Sequence, residues 1–246
     1  MQSHVFFYMI GSAIRYIIKE KSLKPLTNYI FRYKKISEFL DTPESKIKAY
    51  FDELNNSKFI DKLATKLAPY SNIQTGSMMS PLRGPMLYVM MRVIQPKIIV
   101  ETGVASGASS SFLLKALQKN NSGHLHSIDL PASPENDPDV RLPEYKKPGW
   151  LVDDELRGRW TYHEGKSSDL LKPLLEKLGE TDVFIHDSLH TYENMKFEYT
   201  TAWPFIKNSG FLASDDIKWN PAFLELIKEK NPSKILDLYS FGILKK

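Results

Sequence analysis

The chain of 246 residues contains no cysteine. That absence removes disulfide frameworks, thiolate metal sites, cysteine nucleophiles and thiol redox switches together, and it leaves any metal to Asp, Glu, His or neutral oxygen ligands. The chain also lacks an apolar run long enough to span a bilayer, which takes about 18 residues or more. Its best stretch, Val5 to Ile18, is interrupted by Gly11, Ser12 and Arg15, has no basic residue ahead of it and shows no cleavage site. It does not read as a signal peptide, so the expected location is the cytoplasm. No five like charges follow one another and the net charge is only +4. The basic stripe of a nucleic-acid binder is therefore missing, and no nucleic-acid partner is expected. Residues 1–68 carry a small surplus of Lys and Arg, and the rest is balanced. With 42% hydrophobic, 12% aromatic and 25% charged residues, the composition is that of a globular protein able to bury a sizeable core.

In the first segment Val5, Phe6, Met9, Ile10, Ala13, Ile14, Ile17 and Ile18 recur at helical spacing, with Ser12, Arg15 and Lys19 off that stripe. This predicts an amphipathic helix, whose apolar face packs on the body of the protein, on a second copy in a homo-oligomer, or against a membrane surface as a peripheral contact. Helical patterning continues over residues 25–68. There Asp41-Thr42-Pro43-Glu44 is a start signal in which Asp41 or Thr42 caps and Pro43 takes the first turn. A turn-rich piece from Pro69 to Pro85 follows, then a helix from about Gly84 that ends at Gln95-Pro96. Residues 1–83 are expected to be a helical extension and residues 84–246 the main domain.

From Lys97 the pattern changes to short apolar runs alternating with amphipathic stretches. Ile98–Val100, His124–Ile128, Trp160–His163, Asp182–Ile185 and Phe211–Ala213 read as strands. The helices between them cover Ser109–Lys119, Asp169–Leu178, a stretch marked by Tyr192, Met195, Tyr199, Ala202 and Ile206, and Ala222–Lys230. Ile235–Leu238 and Phe241–Leu244 close an antiparallel terminal hairpin. Repeated strand–helix alternation predicts an α/β fold with a mostly parallel sheet covered on both faces, and ligands in such sheets bind at the carboxyl ends of the strands.

The first strand runs into Glu101-Thr-Gly103-Val-Ala105-Ser106-Gly107-Ala-Ser109, then a helix. Glycines let the backbone come close to a ligand, and the helix start offers free N–H donors. A dinucleotide fingerprint would need glycine at Ala105, and the Gly-Lys-Ser/Thr of a phosphate-cradling loop is absent. A nucleoside without pyrophosphate fits better, which disfavours an NAD-dependent reductase. Asp129, ending the second strand, is placed to accept from both ribose hydroxyls, at about 1.5–3 kcal/mol for each charge-assisted bond. Taken alone, the same residues would also suit a glycine turn beside an unrelated surface acid.

In this order the elements resemble the class I S-adenosylmethionine (SAM)-dependent methyltransferases, with their Rossmann-like sheet. Glu101, Gly103 and Gly107 match the first motif of that family, and Asp129 matches the acid at the end of its second strand. The resemblance covers residues 84–245 and implies SAM as cofactor. It further implies that Glu101 lies near the methionine amino group and that Gly103, Ala105, Ser106, Gly107, Ser109, Asp129 and Asp187 contribute to the cofactor site.

A second group is Asp187, His190, Asp215 and Asp216, at the ends of the fourth and fifth strands. Neighbouring strands lie about 5 Å apart, so these acids converge and repel unless a positive charge joins them. Hard oxygen ligands suit Mg²⁺, Mn²⁺ or Ca²⁺. The plainer alternative is that Asp215 or Asp216 caps a turn while Asp187 is solvated. His186 and His190 stand four apart, but that spacing chelates zinc only on a helix, and His186 belongs to a strand end. The Asp187…Asp215-Asp216 pattern looks like the divalent-metal site of the macrocin and related small-molecule O-methyltransferases. That likeness implies Asp187, Asp215 and Asp216 as metal ligands and a hydroxyl of a sugar or natural product as acceptor. Relatives often carry a second acid where this chain has Leu189, so His190, with Tyr192 nearby, is the expected base alongside Asp187 as the catalytic pair. Residues 131–160, rich in proline, are expected to form a lid. The alternatives are an N-methyltransferase, a metal-free enzyme, or a nucleoside-binding scaffold without turnover.

Overall fold

A computed structural model describes residues 24–70, 83–130 and 146–246. The amphipathic stretch Val5–Ile18, most of the turn-rich piece and the first half of the proline-rich insertion lie outside the described residues. Seven strands form one sheet: β1 (Ile98–Thr102), β2 (His124–Asp129), β3 (Trp160–Glu164), β4 (Thr181–His186), β5 (Ile206–Ser214), β6 (Lys234–Asp237) and β7 (Gly242–Lys245). Their order is β3-β2-β1-β4-β5-β7-β6. The first five are parallel, and β7 runs antiparallel between β5 and β6. Strand order reverses between β1 and β4, the place where such sheets open a crevice for ligands.

Alternation along each strand divides the apolar residues between two cores. Ile99, Val183, Ile185, Phe211, Ala213 and Ile243 face the core that contains helices α5 (Arg83–Ile94) and α6 (Ala108–Asn120). Val100, Phe184, Leu212 and Leu244 face the core of α7 (Ser167–Leu178), α8 (Tyr192–Ala202) and α9 (Ala222–Lys230). Among the described residues no helix is long and apolar enough to cross a membrane.

The described part of the N-terminal region is helical: α1 (Lys24–Ile30), α2 (Arg32–Leu40), α3 (Glu44–Asn55) and α4 (Phe59–Leu67). Ile36, Phe39, Ile47, Phe51, Leu54, Phe59 and Leu63 belong to the same core as α5 and α6. The rings of Phe39 and Phe211 lie 5.9 Å apart, and those of Phe59 and Phe112 5.2 Å apart. The boundary drawn near residue 83 thus divides the sequence but not the core.

Two local readings need correction. Helix α3 starts at Glu44 as its signal foretells, but neither Asp41 nor Thr42 caps it. Asp41 sits in the left-handed region (φ 50°) with its carboxylate on Lys234, and the Thr42 hydroxyl donates to the Leu40 carbonyl. A lysine on the sheet outbids the helix end for the only carboxylate of the signal placed to reach it. Ile206 is not the last residue of α8 but the first of β5. Pro204 lacks the N–H that a continuing helix needs, so a single 3₁₀ turn over Trp203–Phe205 ends it.

Candidate active site

The loop after β1 holds three residues at positive φ: Gly103 (85°), Ala105 (45°) and Gly107 (83°). Gly103 donates its N–H to the Ile128 carbonyl at 2.9 Å, and the Asp187 N–H donates to the Thr102 carbonyl at 2.8 Å. A Cβ on Gly103 would run into the Asp187 carbonyl, so only glycine lets the β1 loop and the end of β4 touch backbone to backbone. Ala105 has no such freedom, and its left-handed backbone costs about 1–2 kcal/mol. Its N–H pins it there by donating to Asp129 Oδ2 at 3.0 Å.

Gly107 is also required by close approach, here of the protein's own backbone. A Cβ there would stand 2.7 Å from the Gly149 Cα and 3.0 Å from the Val152 side chain. The Gly149 N–H donates to the Ala105 carbonyl at 2.9 Å, and the Leu151 N–H donates to the Ser106 carbonyl at 3.0 Å. Leu151, Val152 and Leu156 are buried in the core. The second half of the expected lid, residues 146–160, is therefore a fixed wall stitched onto the glycine loop. The signal was present in those three apolar residues.

Glu101 is completely buried, and its carboxylate accepts from the hydroxyls of Ser109 (2.8 Å), Ser110 (2.6 Å) and Ser127 (2.8 Å). Burial raises its pKa, against the pull of the three serines. With both oxygens satisfied from within the protein, Glu101 shapes the loop from behind. Ser106 is also fully buried. Asp129, half-buried at the end of β2, has its carboxyl pushed up to about 6 by burial, opposed by the N–H groups of Ala105 and Val104.

Beside this loop lie the acids of β4 and β5. The Asp215 N–H donates to the His186 carbonyl at 3.0 Å, which fixes the second strand end against the first. The positive charge that joins Asp187 and Asp215 is Arg83, the first residue of α5. Its guanidinium lies 3.5 Å from Asp187 Oδ2 and in direct contact with Asp215 Oδ2. Burial opposes the guanidinium charge, but Asp187 and Asp215 outweigh it and hold Arg83 protonated. Burial, reinforced by the charge of Asp215, carries the Asp187 carboxyl well above its usual range. Burial would raise Asp215 too, but there Arg83 prevails and keeps it low.

The His190 ring lies between Asp187 and Asp216, with Nε2 3.9 Å from Asp187 Oδ1 and Nδ1 4.0 Å from Asp216 Oδ2. Its Nε2 is buried without a hydrogen-bond partner. Burial and the neighbouring His186 push His190 down to about 4, so it is neutral near pH 7. Asp187, His190 and Asp215 each present a ligand atom within 4.8 Å of the others. Asp216 is outside that set, across the imidazole. Tyr192, expected beside His190, instead donates its hydroxyl to Glu225 at 2.8 Å. Trp219, 70% exposed, stands with its ring 5.3 Å from that of His190, so the mouth of the site has an apolar rim.

Beneath the site is a residue that sequence reasoning missed. Glu198 of α8 is fully buried and accepts from Thr102 Oγ1 (2.5 Å), His186 Nδ1 (2.6 Å), Ser188 Oγ (2.7 Å) and Asn194 Nδ2 (3.2 Å). Burial would raise its pKa, but the bonds from His186 and the other donors hold it below its usual range. One carboxylate thereby ties the end of β1, the end of β4 and the loop that carries Asp187 and His190. Its signal was a glutamate on the apolar stripe of Met195, Tyr199 and Ala202.

A cleft of about 410 Å³ opens at the opposite end of the sheet, among Leu40, Ile94, Asp182 and Lys245. None of the residues of the β1 loop or of the carboxylate group lines it, so chemistry rather than volume locates the site.

Residues 100–217 match a family model described as a methyltransferase domain. No curated protein matches the chain significantly in sequence. Among solved structures, the O-methyltransferase from Bacillus cereus in complex with S-adenosylhomocysteine (SAH) is 15% identical, with a TM-score of 0.54 over 87% of this chain and 96% of that one. The O-methyltransferase TomG from Streptomyces achromogenes, in complex with SAM, is 16% identical, with a TM-score of 0.52 over 77% of this chain and 90% of that one. The SAH-bound methyltransferase PaMTH1 from Podospora anserina is 15% identical, with a TM-score of 0.53 over 77% and 88%. Residues 100–217 thus match a methyltransferase domain, and the sheet order is that of a fold shared with these SAM- and SAH-bound methyltransferases.

Proposed function

We propose that the domain methylates a hydroxyl oxygen of a small molecule, a sugar or a natural product, in the manner of the macrocin O-methyltransferase branch. The observation that carries this reading is the backbone contact of Gly103 with Asp187, which leaves no gap between the cofactor loop and the carboxylate group. An acceptor hydroxyl held by those carboxylates would lie beside the cofactor, and methyl transfer is mainly a matter of such alignment. Asp129 takes the ribose hydroxyls, and the backbone from Gly103 to Ser106, with Ser109 and Asp187 at its flanks, faces the rest of the cofactor. When bound, SAM supplies the electrophilic methyl group on its sulfonium.

The donor set also suits a divalent cation. Asp187 and Asp215 converge with the His190 ring beside them, its Nε2 without a hydrogen-bond partner, and such carboxylate sets suit Mg²⁺ or Mn²⁺. Asp187 and Asp215 would hold it, with Asp216 the further acid of the expected ligand set. The cation would orient the acceptor hydroxyl and ease its deprotonation. His190 takes the proton at Nε2. A metal-free methyltransferase is the second reading, favoured by Arg83, which already balances the carboxylates.

Melting curves test the cofactor. SAM or SAH at 100 times its dissociation constant should stabilise the protein by about 2.7 kcal/mol, and NAD should not. Equal stabilisation by NAD would sink the assignment. The pH dependence follows from Asp129, whose ionised form accepts the ribose hydroxyls. Affinity for SAH should be full above about pH 6 and weaken as pH falls through that value, and Asp129→Asn should weaken binding and flatten the profile. A pH-independent affinity in the unsubstituted chain would remove Asp129 from the site.

For the metal, exhaustive EDTA treatment should abolish methyl transfer and Mn²⁺ should restore it, while SAH binding survives. Full activity in the chelated enzyme, checked by metal analysis, would select the metal-free reading.

A further inference from the structure

Arg83 is separated from Asp187 and Asp215 by a hundred residues or more of sequence, yet it closes on both. The three side chains are 16%, 21% and 14% exposed, so their charges meet largely out of water. The backbone of Arg83 is held at the start of α5, which is anchored by Met86, Leu87, Val89 and Met90 in the core. Only its side chain can therefore leave the acids. Any divalent cation held by the same carboxylates would sit next to this charge.

We propose that Arg83 is a built-in competitor for the cation site: it occupies the carboxylates when no ion is bound, sets how tightly an ion binds, and is moved off them when one arrives. The inference rests on the metal reading above. Two positive charges of +1 and +2 about 5 Å apart repel strongly enough, even with solvent-like screening, to weaken cation binding about tenfold or more. The strand ends would then pass between two states. In one, α5 is clamped to β4 and β5 through Arg83; in the other, the ion bridges the two strands and the guanidinium faces the mouth of the site, where an acceptor enters.

Calorimetric titration of Mn²⁺ into chelator-treated protein tests this without any assay of methyl transfer. Arg83→Gln should bind Mn²⁺ at least tenfold more tightly than the unsubstituted chain, and Arg83→Lys, which keeps the charge, should stay within about threefold of it. Equal or weaker binding by Arg83→Gln, with clear binding by the unsubstituted chain, overturns the competition and leaves the metal reading standing. Binding by neither overturns both. Should Arg83→Gln fail to fold, the unsubstituted protein labelled with ¹⁵N-arginine gives the answer. The guanidinium Nε–H signal missing from Arg83→Lys should shift on saturation with Mg²⁺, and an unmoved signal overturns the proposal.

Discussion

Glu198→Ala is expected to remove about 3–5 kcal/mol of stability, because donors left without an acceptor in the interior cost about 1–3 kcal/mol each. For a chain of this size that lowers the melting temperature by roughly 10 °C or more. The magnitude follows from what the carboxylate does. It accepts from Thr102, His186, Ser188 and Asn194 with no exposed surface, so its loss strands several buried donors together. Glu198→Gln keeps the shape and one acceptor oxygen and should fall between the two. The pH dependence has a defined sign. Because the folded state holds Glu198 below its ordinary range, its contribution is present above the unfolded carboxylate pKa, about 4.3, and is lost as pH falls from there through the folded value. Circular dichroism melts between pH 3 and 8 would check both points. A loss under about 1 kcal/mol in Glu198→Ala would mean that the network is not what holds the strand ends.

The same residue shows what sequence could and could not supply. The strands were legible because buried parallel strands are continuous apolar runs, and Ile98–Val100, Asp182–Ile185 and Phe211–Ala213 are short runs of this kind. The carboxyl ends followed from the alternation, and with them the positions of Asp129, Asp187 and Asp215. Side-chain partnership did not follow, since it depends on which face each strand turns and which helix covers it. The serines of α6 and β2 that donate to Glu101 are an example of such a partnership. The close approach of Gly149 and Val152 to Gly107 was likewise not visible in the loop's spacing. In the insertion the prolines outweighed Leu151, Val152 and Leu156, although buried apolar residues are what separates a wall from a lid. Arg83 was out of reach altogether. Nothing local marks an arginine at a helix start as the partner of acids on two strands far along the chain.

His190 decides how the acceptor hydroxyl loses its proton. The ring stands between Asp187 and Asp216, and its Nε2 is buried with no hydrogen-bond partner, a costly arrangement unless a ligand completes it. Sequence reasoning alone gives an ordinary imidazole, titrating near pH 6.5, and hence an acidic limb in the rate profile between pH 6 and 7. The structure moves that limb. Burial and the adjacent His186 push His190 down to about 4, so it is a neutral acceptor throughout the neutral range, and at saturating SAM its limb should leave the window between pH 6 and 7. General-base assistance is typically worth 10²–10⁴-fold, whereas a histidine that only packs against Trp219 and His186 would betray itself in stability. His190→Ala should therefore retain SAH affinity and lower kcat by at least about 10²-fold with an identified hydroxyl acceptor, and His190→Gln, which fills the space without a basic nitrogen, should be equally slow. Exchanging the acceptor hydroxyl for a more acidic phenol should recover much of the loss, because a proton that leaves readily needs no base. A fall in kcat of less than tenfold, or recovery by His190→Gln, would reduce His190 to a packing residue and transfer the proton to solvent.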